Sequence, residues 1–261
     1  MCLLFLAIDT HPDYRLVAAA NRDEFYDRPT AAAHRWAEHE DVIAGKDLEK
    51  GGTWFGVTRY GHWAAVTNYR ESNDAKFETS RGALVSEYLT TYSTPDDYIA
   101  SLAASADHYN GFNLVAGSLS HAVYFSNREH GVKPLQKGIY GLSNHLLDTP
   151  WPKVRTGKQN LENLLERDHL DADSLFSILC DQTRASNEDL PESGVNAEWE
   201  KLLSSAFISG DTYGTRSSTI LLVSRDNRLI LEERTYAPAA PRNTDNYSSV
   251  AYEFDLEDQP V

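Results

Sequence analysis

Cys2-Leu3-Leu4-Phe5-Leu6-Ala7-Ile8, then His11-Pro12-Asp13, then Tyr14-Arg15-Leu16-Val17-Ala18-Ala19-Ala20 open the chain. The first run is apolar without interruption and stops at Asp9, as a strand buried on both faces does. His11-Pro12-Asp13 is turn chemistry, so the third run reads as the hairpin partner of the first. A hairpin returns the end of its second strand to the start of its first. Asn21-Arg22-Asp23-Glu24, which follows Ala20 directly, is thereby carried back beside Cys2. The opening run lacks a basic n-region and a small-residue cleavage site, and is far shorter than the roughly 18–20 residues that span a bilayer. A buried strand describes it better than a signal peptide.

Outward from this hairpin, residues 21–52 are rich in charge, Pro and Gly and read as a long surface loop, a feature often tied to function. Strands follow near 53–58 and 62–67. Leu84, Val85, Tyr88 and Leu89 lie at helical spacing and predict a helix over 81–92; Thr94-Pro95 starts another over 95–105. Strands return at 112–117, 121–126 and 138–142. Helices are predicted at about 151–168 and 172–183, the second capped by Asp171 or Asp173, with a short helix at 196–204. Strands at 217–223 and 228–233 flank the turn Arg225-Asp226-Asn227. Runs of strands alternating with helix pairs predict an α+β chain of stacked layers with antiparallel sheets. One domain is expected over 1–236, and a Pro-, Asp- and Asn-rich extended or mobile tail over 237–261.

With 261 residues, 41% of them hydrophobic, the chain can build one large core. Its net charge of −15 opposes contact with phosphate backbones, so nucleic acid is not an expected partner. No stretch is long and apolar enough for a transmembrane segment. Two cysteines are no disulfide framework, and free thiols fit a cytoplasmic protein. Cys180, in Leu175-Phe176-Ser177-Ile178-Leu179-Cys180, reads as a small core residue on a helix face. His34 and His39 have no metal spacing, and no Gly-x-Gly-x-x-Gly or P-loop is present, so neither a metal nor a resident cofactor is expected. Gly51-Gly52 reads as a tight turn into a strand. Trp36, Trp54, Trp63 and Trp151 read as core or pocket wall, and Asp148-Thr149-Pro150-Trp151-Pro152 as a helix start.

Chemistry concentrates at Cys2. Removal of Met1 would leave one residue holding both a thiol and a free α-amine. An amine of reference pKa about 7.7–8.0 is a general base near neutral pH, and a thiolate is a strong nucleophile. A carboxylate at Asp23 could accept hydrogen bonds from that amine and orient it. From position alone, the first reading of Cys2 is a small buried residue at a strand start, and that of Asn21–Glu24 a polar loop with local ion pairs.

Asn21-Arg22-Asp23-Glu24 is also the string that names the NRDE family, the transport and Golgi organisation protein 2 homologues. The resemblance continues through Gly51-Gly52-Thr53-Trp54-Phe55-Gly56-Val57, Ala65-Val66-Thr67-Asn68-Tyr69-Arg70, Ser80-Arg81-Gly82, Tyr109-Asn110-Gly111-Phe112-Asn113-Leu114, Gly141-Leu142-Ser143-Asn144, Asp148-Thr149-Pro150-Trp151-Pro152-Lys153 and Tyr213-Gly214-Thr215-Arg216-Ser217-Ser218-Thr219. These blocks span residues 2 to about 222. That family is similar in turn to the cysteine N-terminal-nucleophile (Ntn) hydrolases, such as bile-salt hydrolases and penicillin V acylases, which cleave unactivated amides. The resemblance implies a four-layer αββα sandwich of two mostly antiparallel sheets flanked by helices.

It also implies roles for single residues. Cys2 matches the nucleophile and Asp23 the carboxylate that holds its amine. Asn68 resembles an oxyanion-hole asparagine, Asn144 a second asparagine that contacts substrate and the nucleophile region, and Arg216 an arginine near the thiol. Asn21, Arg22 and Trp54 are expected to line the substrate site. One departure stands out: those hydrolases usually carry Arg directly before the Asn-x-Asp segment, and this chain has Ala20 there. Arg22 is shifted, and the alternation of a strand is expected to point it elsewhere. The implied activity is hydrolysis of an amide or thioester of a small molecule. The alternative is a non-catalytic protein on the same scaffold that binds or carries haem or lipid, since members of the family have been linked to haem mobilisation and to Golgi or lipid homeostasis. Without a Cys-x-x-Cys-His motif any haem would be a transient, non-covalent ligand.

Overall fold

The computed structural model describes residues 2–71, 77, 79–167, 169–237 and 244–258. β1 (Cys2–Ile8) and β2 (Tyr14–Phe25) form the expected antiparallel hairpin, in register from Ile8 opposite Leu16 to Cys2 opposite Arg22. Side chains on a strand alternate between faces. Leu4, Leu6, Ala18 and Ala20 enter one core cluster, while Leu3, Phe5, Ala7, Val17 and Ala19 enter another. Both faces are covered, which is why the opening run is apolar without a break.

Residues 21–52 differ from the loop expected there. β2 runs on through Arg22 and Asp23 to Phe25, and β3 (Thr30–Trp36) and β4 (His39–Asp47) form a second hairpin. Charges at turns and on an irregular edge strand hid its buried Val42-Ile43-Ala44 centre. This hairpin begins a sheet completed by β5 (Phe55–Thr58), β6 (Trp63–Asn68), β7 (Phe112–Gly117), β8 (Ala122–Ser126) and the short, exposed β9 (Val132–Pro134), in sequence order and antiparallel throughout. The other sheet adds β10 (Gly138–Leu142), β11 (Tyr213–Ser224), β12 (Arg228–Tyr236) and β13 (Tyr247–Asp255) to the first hairpin, in the order β10-β1-β2-β11-β12-β13. β13 lies within the expected tail. Its chain is extended, as expected, but pairs along β12 from Arg228 to Tyr236, so the sheet continues past residue 236.

The two sheets face each other across a shared core that includes Leu4, Trp54, Trp63, Tyr124 and Leu221. α1 (Gly82–Thr91) and α2 (Pro95–Ala103) cover the outer face of the β3–β9 sheet, burying Leu84, Val85, Tyr88 and Leu89 as their spacing predicts. α3 (Pro152–Leu165) and α4 (Ala172–Leu179) cover the other sheet. Asp171 caps α4 by accepting from Ser174 N at 2.7 Å. The short α5 (Ala197–Leu203) packs near Tyr213. The architecture is the α+β four-layer helix–sheet–sheet–helix sandwich. Cys180 ends α4 half-buried, its sulfur 3.6 Å from the Tyr236 hydroxyl, a more polar setting than the core position expected of it. No helix among the described residues is long and apolar enough to cross a membrane.

Candidate active site

Because β1 begins at Cys2, its side chain takes the same face as Leu4 and Leu6 and points between the sheets. There the sandwich opens into a cleft of about 840 Å³, bordered on one side by Cys2, Arg22 and Asp23 and on the other by Trp54, Asn68 and Arg81. A groove at the opposite end of the sandwich, near Asp9, Arg15 and Lys137, has neither cysteine in its lining.

Arg22 stands directly across the ladder from Cys2. A displacement of two residues from Ala20 preserves the face, so the expectation that Arg22 points elsewhere is corrected: it shares Ala20's side and borders the cleft. Its guanidinium stacks on Trp54 at 4.2 Å and reaches Asp47 Oδ2 at 3.5 Å. Burial pushes the Cys2 thiol up from its ordinary value; the charge of the chain-start amine pulls it down, the Asp23 charge raises it and Arg22, to a lesser degree, lowers it.

Asp23 lies one position beyond the last β1–β2 pair and borders the cleft beside Cys2 and Arg22. Thr215 donates its hydroxyl to Asp23 Oδ1 at 2.7 Å, and the Tyr213 hydroxyl donates to the Asp23 carbonyl at 3.1 Å. Burial raises the Asp23 carboxyl, opposed by the charge of Lys153 and by the Thr215 hydrogen bond.

The Asn68 side-chain amide faces the cleft from the end of β6 and has no hydrogen-bond partner among the described residues. Asn144 does not border the cleft. It is fully buried, and its Nδ2 donates to the Asn68 carbonyl at 3.0 Å, so it acts on Asn68 rather than on a ligand. Asn21 is turned away from the cleft. Its Nδ2 donates to the carbonyls of Leu179 and Ala206, and its Oδ1 accepts from Ser218, so it ties β2 to the end of α4 and to β11. Arg216 is likewise outside the cleft lining. A bulge between Thr215 and Ser217 displaces it, and Nη1 donates to the carbonyls of Phe25 at 2.7 Å and Arg28 at 3.0 Å.

Comparison with known proteins bears on the family and the fold of this sandwich. The family model described as transport and Golgi organisation 2 matches residues 1–238. The chain belongs to the transport and Golgi organisation 2 family. It is 35% identical over 278 residues to transport and Golgi organization protein 2 homolog of Bos taurus, covering 98% of this chain and 100% of the relative. The Homo sapiens homolog is 35% identical with the same coverage, and the Drosophila melanogaster protein 29% identical, covering 97% and 99%. Among solved structures, the Caenorhabditis elegans ortholog of N-acylethanolamine-hydrolyzing acid amidase superposes with a TM-score of 0.50 at 12% identity, over 85% of this chain and 92% of that one. The C2A mutant of conjugated bile acid hydrolase from Clostridium perfringens gives 0.50 at 9% identity, over 100% and 99%. At these identities the likeness is one of fold: the Ntn-hydrolase sandwich.

Two residues of the family blocks gain a place that sequence reasoning did not give them. Arg81, the residue before α1, borders the cleft. Its guanidinium is lowered by burial and sustained by the charge of Cys2, so it is a cation of the thiol's surroundings. Lys153, in the first turn of α3, is buried among Asp23, Arg70, Cys2 and Glu200. The only signals for either were Ser80-Arg81-Gly82 and Trp151-Pro152-Lys153 among the family blocks; a helix-start pattern looks the same whether its lysine faces solvent or a site.

Proposed function

We propose that this protein is a cysteine N-terminal-nucleophile hydrolase that cleaves an amide or thioester bond of a small molecule, with Cys2 as nucleophile. The observation that carries the reading is the convergence on one cleft of Cys2 at the first position of β1, Arg22 opposite it, Asp23 one residue beyond, and the uncommitted Asn68 amide across the gap. With Met1 removed, the Cys2 sulfur attacks the carbonyl carbon while the α-amine, oriented by Asp23, takes the thiol proton. Asn68 donates to the developing oxyanion, a contribution typically worth about 2.7–4 kcal/mol. The carbon–nitrogen or carbon–sulfur bond then breaks, and the ammonium returns the proton to the leaving group. Water, deprotonated by the same amine, hydrolyses the acyl-cysteine thioester and regenerates the thiol. Arg22 and Arg81 favour the thiolate that burial disfavours. The fold neighbours named as an amidase and a bile acid hydrolase support this reaction class. Free thiols at Cys2 and Cys180 fit a reducing, cytoplasmic setting.

Intact mass and thiol labelling on one sample test the reading. The expected result is a mass lacking methionine, with an electrophilic thiol probe labelling wild type faster than Cys2→Ala. Complete retention of the methionine, or equal labelling of the two proteins, overturns it.

A further inference from the structure

α3 begins at Pro152 and packs against β1 and β10, with Gly157 leaving room for the Phe5 ring. Lys153, the second residue of this helix, is only 6% exposed, and its Nζ has no hydrogen-bond partner among the described residues. A buried ammonium needs compensating charge. The charged groups around it are Asp23 of β2, Cys2 of β1, Arg70 after β6 and Glu200 of α5. Glu200 is already committed: Arg70 Nη1 donates to its Oε2 at 2.7 Å, and the Ser193 amide and hydroxyl donate to its Oε1. Arg70 repels Lys153. Asp23 is the charge that does most to sustain Lys153, and it directly follows Arg22, the residue paired with Cys2.

Resting on the Ntn-nucleophile reading above, we infer that Lys153 is a positioning residue of the Cys2 site: its buried ammonium competes with the chain-start amine for the Asp23 carboxylate and so keeps that amine in the free-base form that accepts the thiol proton. Two cations share one buried carboxylate, and each lowers the other's hold on its proton. The same positive charge acts on the Cys2 sulfur, so it favours thiolate as well. Burial pulls Lys153 down to about 8, with Asp23 sustaining it, so the ammonium form prevails at neutral pH. Glu24 of β2 and Tyr213 of β11 face the same carboxylate. Arg22 of β2 and Arg81 before α1 act on the sulfur from the cleft side.

The rate of Cys2 alkylation by iodoacetamide, measured against pH in methionine-processed protein, reads this directly. In Lys153→Met the amine holds its proton more tightly and the sulfur loses a cation. The lost cation moves the profile to higher pH, by half a unit or more, and slows alkylation several-fold at pH 7; the more firmly held ammonium, which itself favours thiolate, offsets only part of this. Lys153→Arg keeps the charge and the wild-type profile. A Lys153→Met profile that superimposes on wild type overturns the inference while Cys2 reactivity stands; so does an equal shift in Lys153→Arg, which would assign the effect to packing. Wild-type Cys2 no more reactive than the Cys2→Ala background overturns the hydrolase reading and this inference together. If Lys153→Met does not fold, wild type labelled with ¹³C at the lysine ε-carbons answers instead. A Lys153 resonance titrating near pH 8 supports the inference, and one at the ordinary lysine value overturns it.

Discussion

The Asn144 side-chain amide donates to the main-chain carbonyl of Asn68 at 3.0 Å, so the two asparagines stand one behind the other rather than side by side. Asn68 ends β6, and Asn144 lies just past β10 of the other sheet. Thr67 donates its hydroxyl to the Ser143 carbonyl at 2.7 Å, the Arg70 amide donates to the Asn144 carbonyl at 2.7 Å, and the Ser143 hydroxyl reaches the Cys2 carbonyl at 3.4 Å. Residues 143–144 are thus a strap that fixes the edge bearing Cys2 against the edge bearing Asn68. The strap ties the two sides of the cleft to each other.

Substitution separates the two roles. Asn68→Ala removes a cleft-facing donor with no other hydrogen bond among the described residues, so turnover of an activated amide or thioester surrogate falls about 10²–10³-fold. Its thermal midpoint stays near wild type. Asn144→Ala leaves buried groups without partners and costs roughly 1–3 kcal/mol of stability, seen as a lower denaturant midpoint, with turnover falling as the strap loosens.

Arg22 contributes charge through a geometry that Lys cannot reproduce. Its guanidinium carbon lies over the Trp54 ring at 4.2 Å, and Arg22 is the residue paired with Cys2. Arg22→Met is expected to slow thiol alkylation at neutral pH by about tenfold, the effect of roughly one unit in thiol pKa. Arg22→Lys recovers part of this, because charge returns without the planar stack. Equal alkylation rates in all three proteins would remove Arg22 from the thiol's environment.

The hairpin 2–20 was legible because an apolar run, a Pro-Asp turn and a second apolar run leave few other readings. The helix pairs were legible from Leu84-Val85-Tyr88-Leu89 and Thr94-Pro95. β3 and β4 were not, since an irregular edge hairpin satisfies its hydrogen bonds while presenting charge to water, and its composition is that of a loop. At the site, period-two reasoning carries Cys2 and Arg22 to one face as soon as the ladder register is known. It fails at Arg216, because a bulge inserts one residue and reverses the alternation. Asn144 and Lys153 depend on how a loop and a helix start pack over the sheet, which no local pattern encodes.

Arg216 gives a prediction opposite to that for Arg22. Its guanidinium closes the 25–28 turn through two carbonyls, and hydrogen bonds from charged donors are worth about 1.5–3 kcal/mol. Arg216→Ala is expected to lower the denaturant midpoint and to leave the pH profile of Cys2 alkylation in place. A displaced profile would show that Arg216 acts on the thiol.

Acid should open the cleft at Asp47. Its Oδ1 accepts from the Glu49 and Lys50 amides at 3.0 Å each, and its Oδ2 accepts from Arg28 Nε at 2.6 Å. Burial alone would raise this carboxyl, but the Arg28 hydrogen bond and the neighbouring charges outweigh it and hold it below the usual carboxylate value. A depressed folded value contributes stability that is present above the unfolded pKa and is lost as pH falls through the folded one. Amide exchange at Glu49 and Lys50 should therefore accelerate below the ordinary aspartate range. Asp47→Asn should show fast exchange at neutral pH as well, with no such acid step.

Arg70 and Glu200 form a buried pair, 4% and 5% exposed, joined at 2.7 Å, with Arg70 also lying over Trp151 at 4.7 Å. Arg70 Nε and Nη2 have no partners among the described residues, so the pair is incompletely satisfied and its Coulomb energy has to offset the desolvation of two ions. Removing one member strands a buried charge and is expected to cost about 3–5 kcal/mol, whether in Arg70→Met or Glu200→Leu. The double variant should recover most of that loss, since two apolar side chains have no charge to desolvate. The two single variants should nevertheless part in their chemistry. Glu200→Leu frees Arg70 to draw on the Asp23 carboxylate, whereas Arg70→Met frees Glu200 for Lys153, so their alkylation profiles should move in opposite directions along the pH axis. Identical profiles would show that the ion pair serves packing alone.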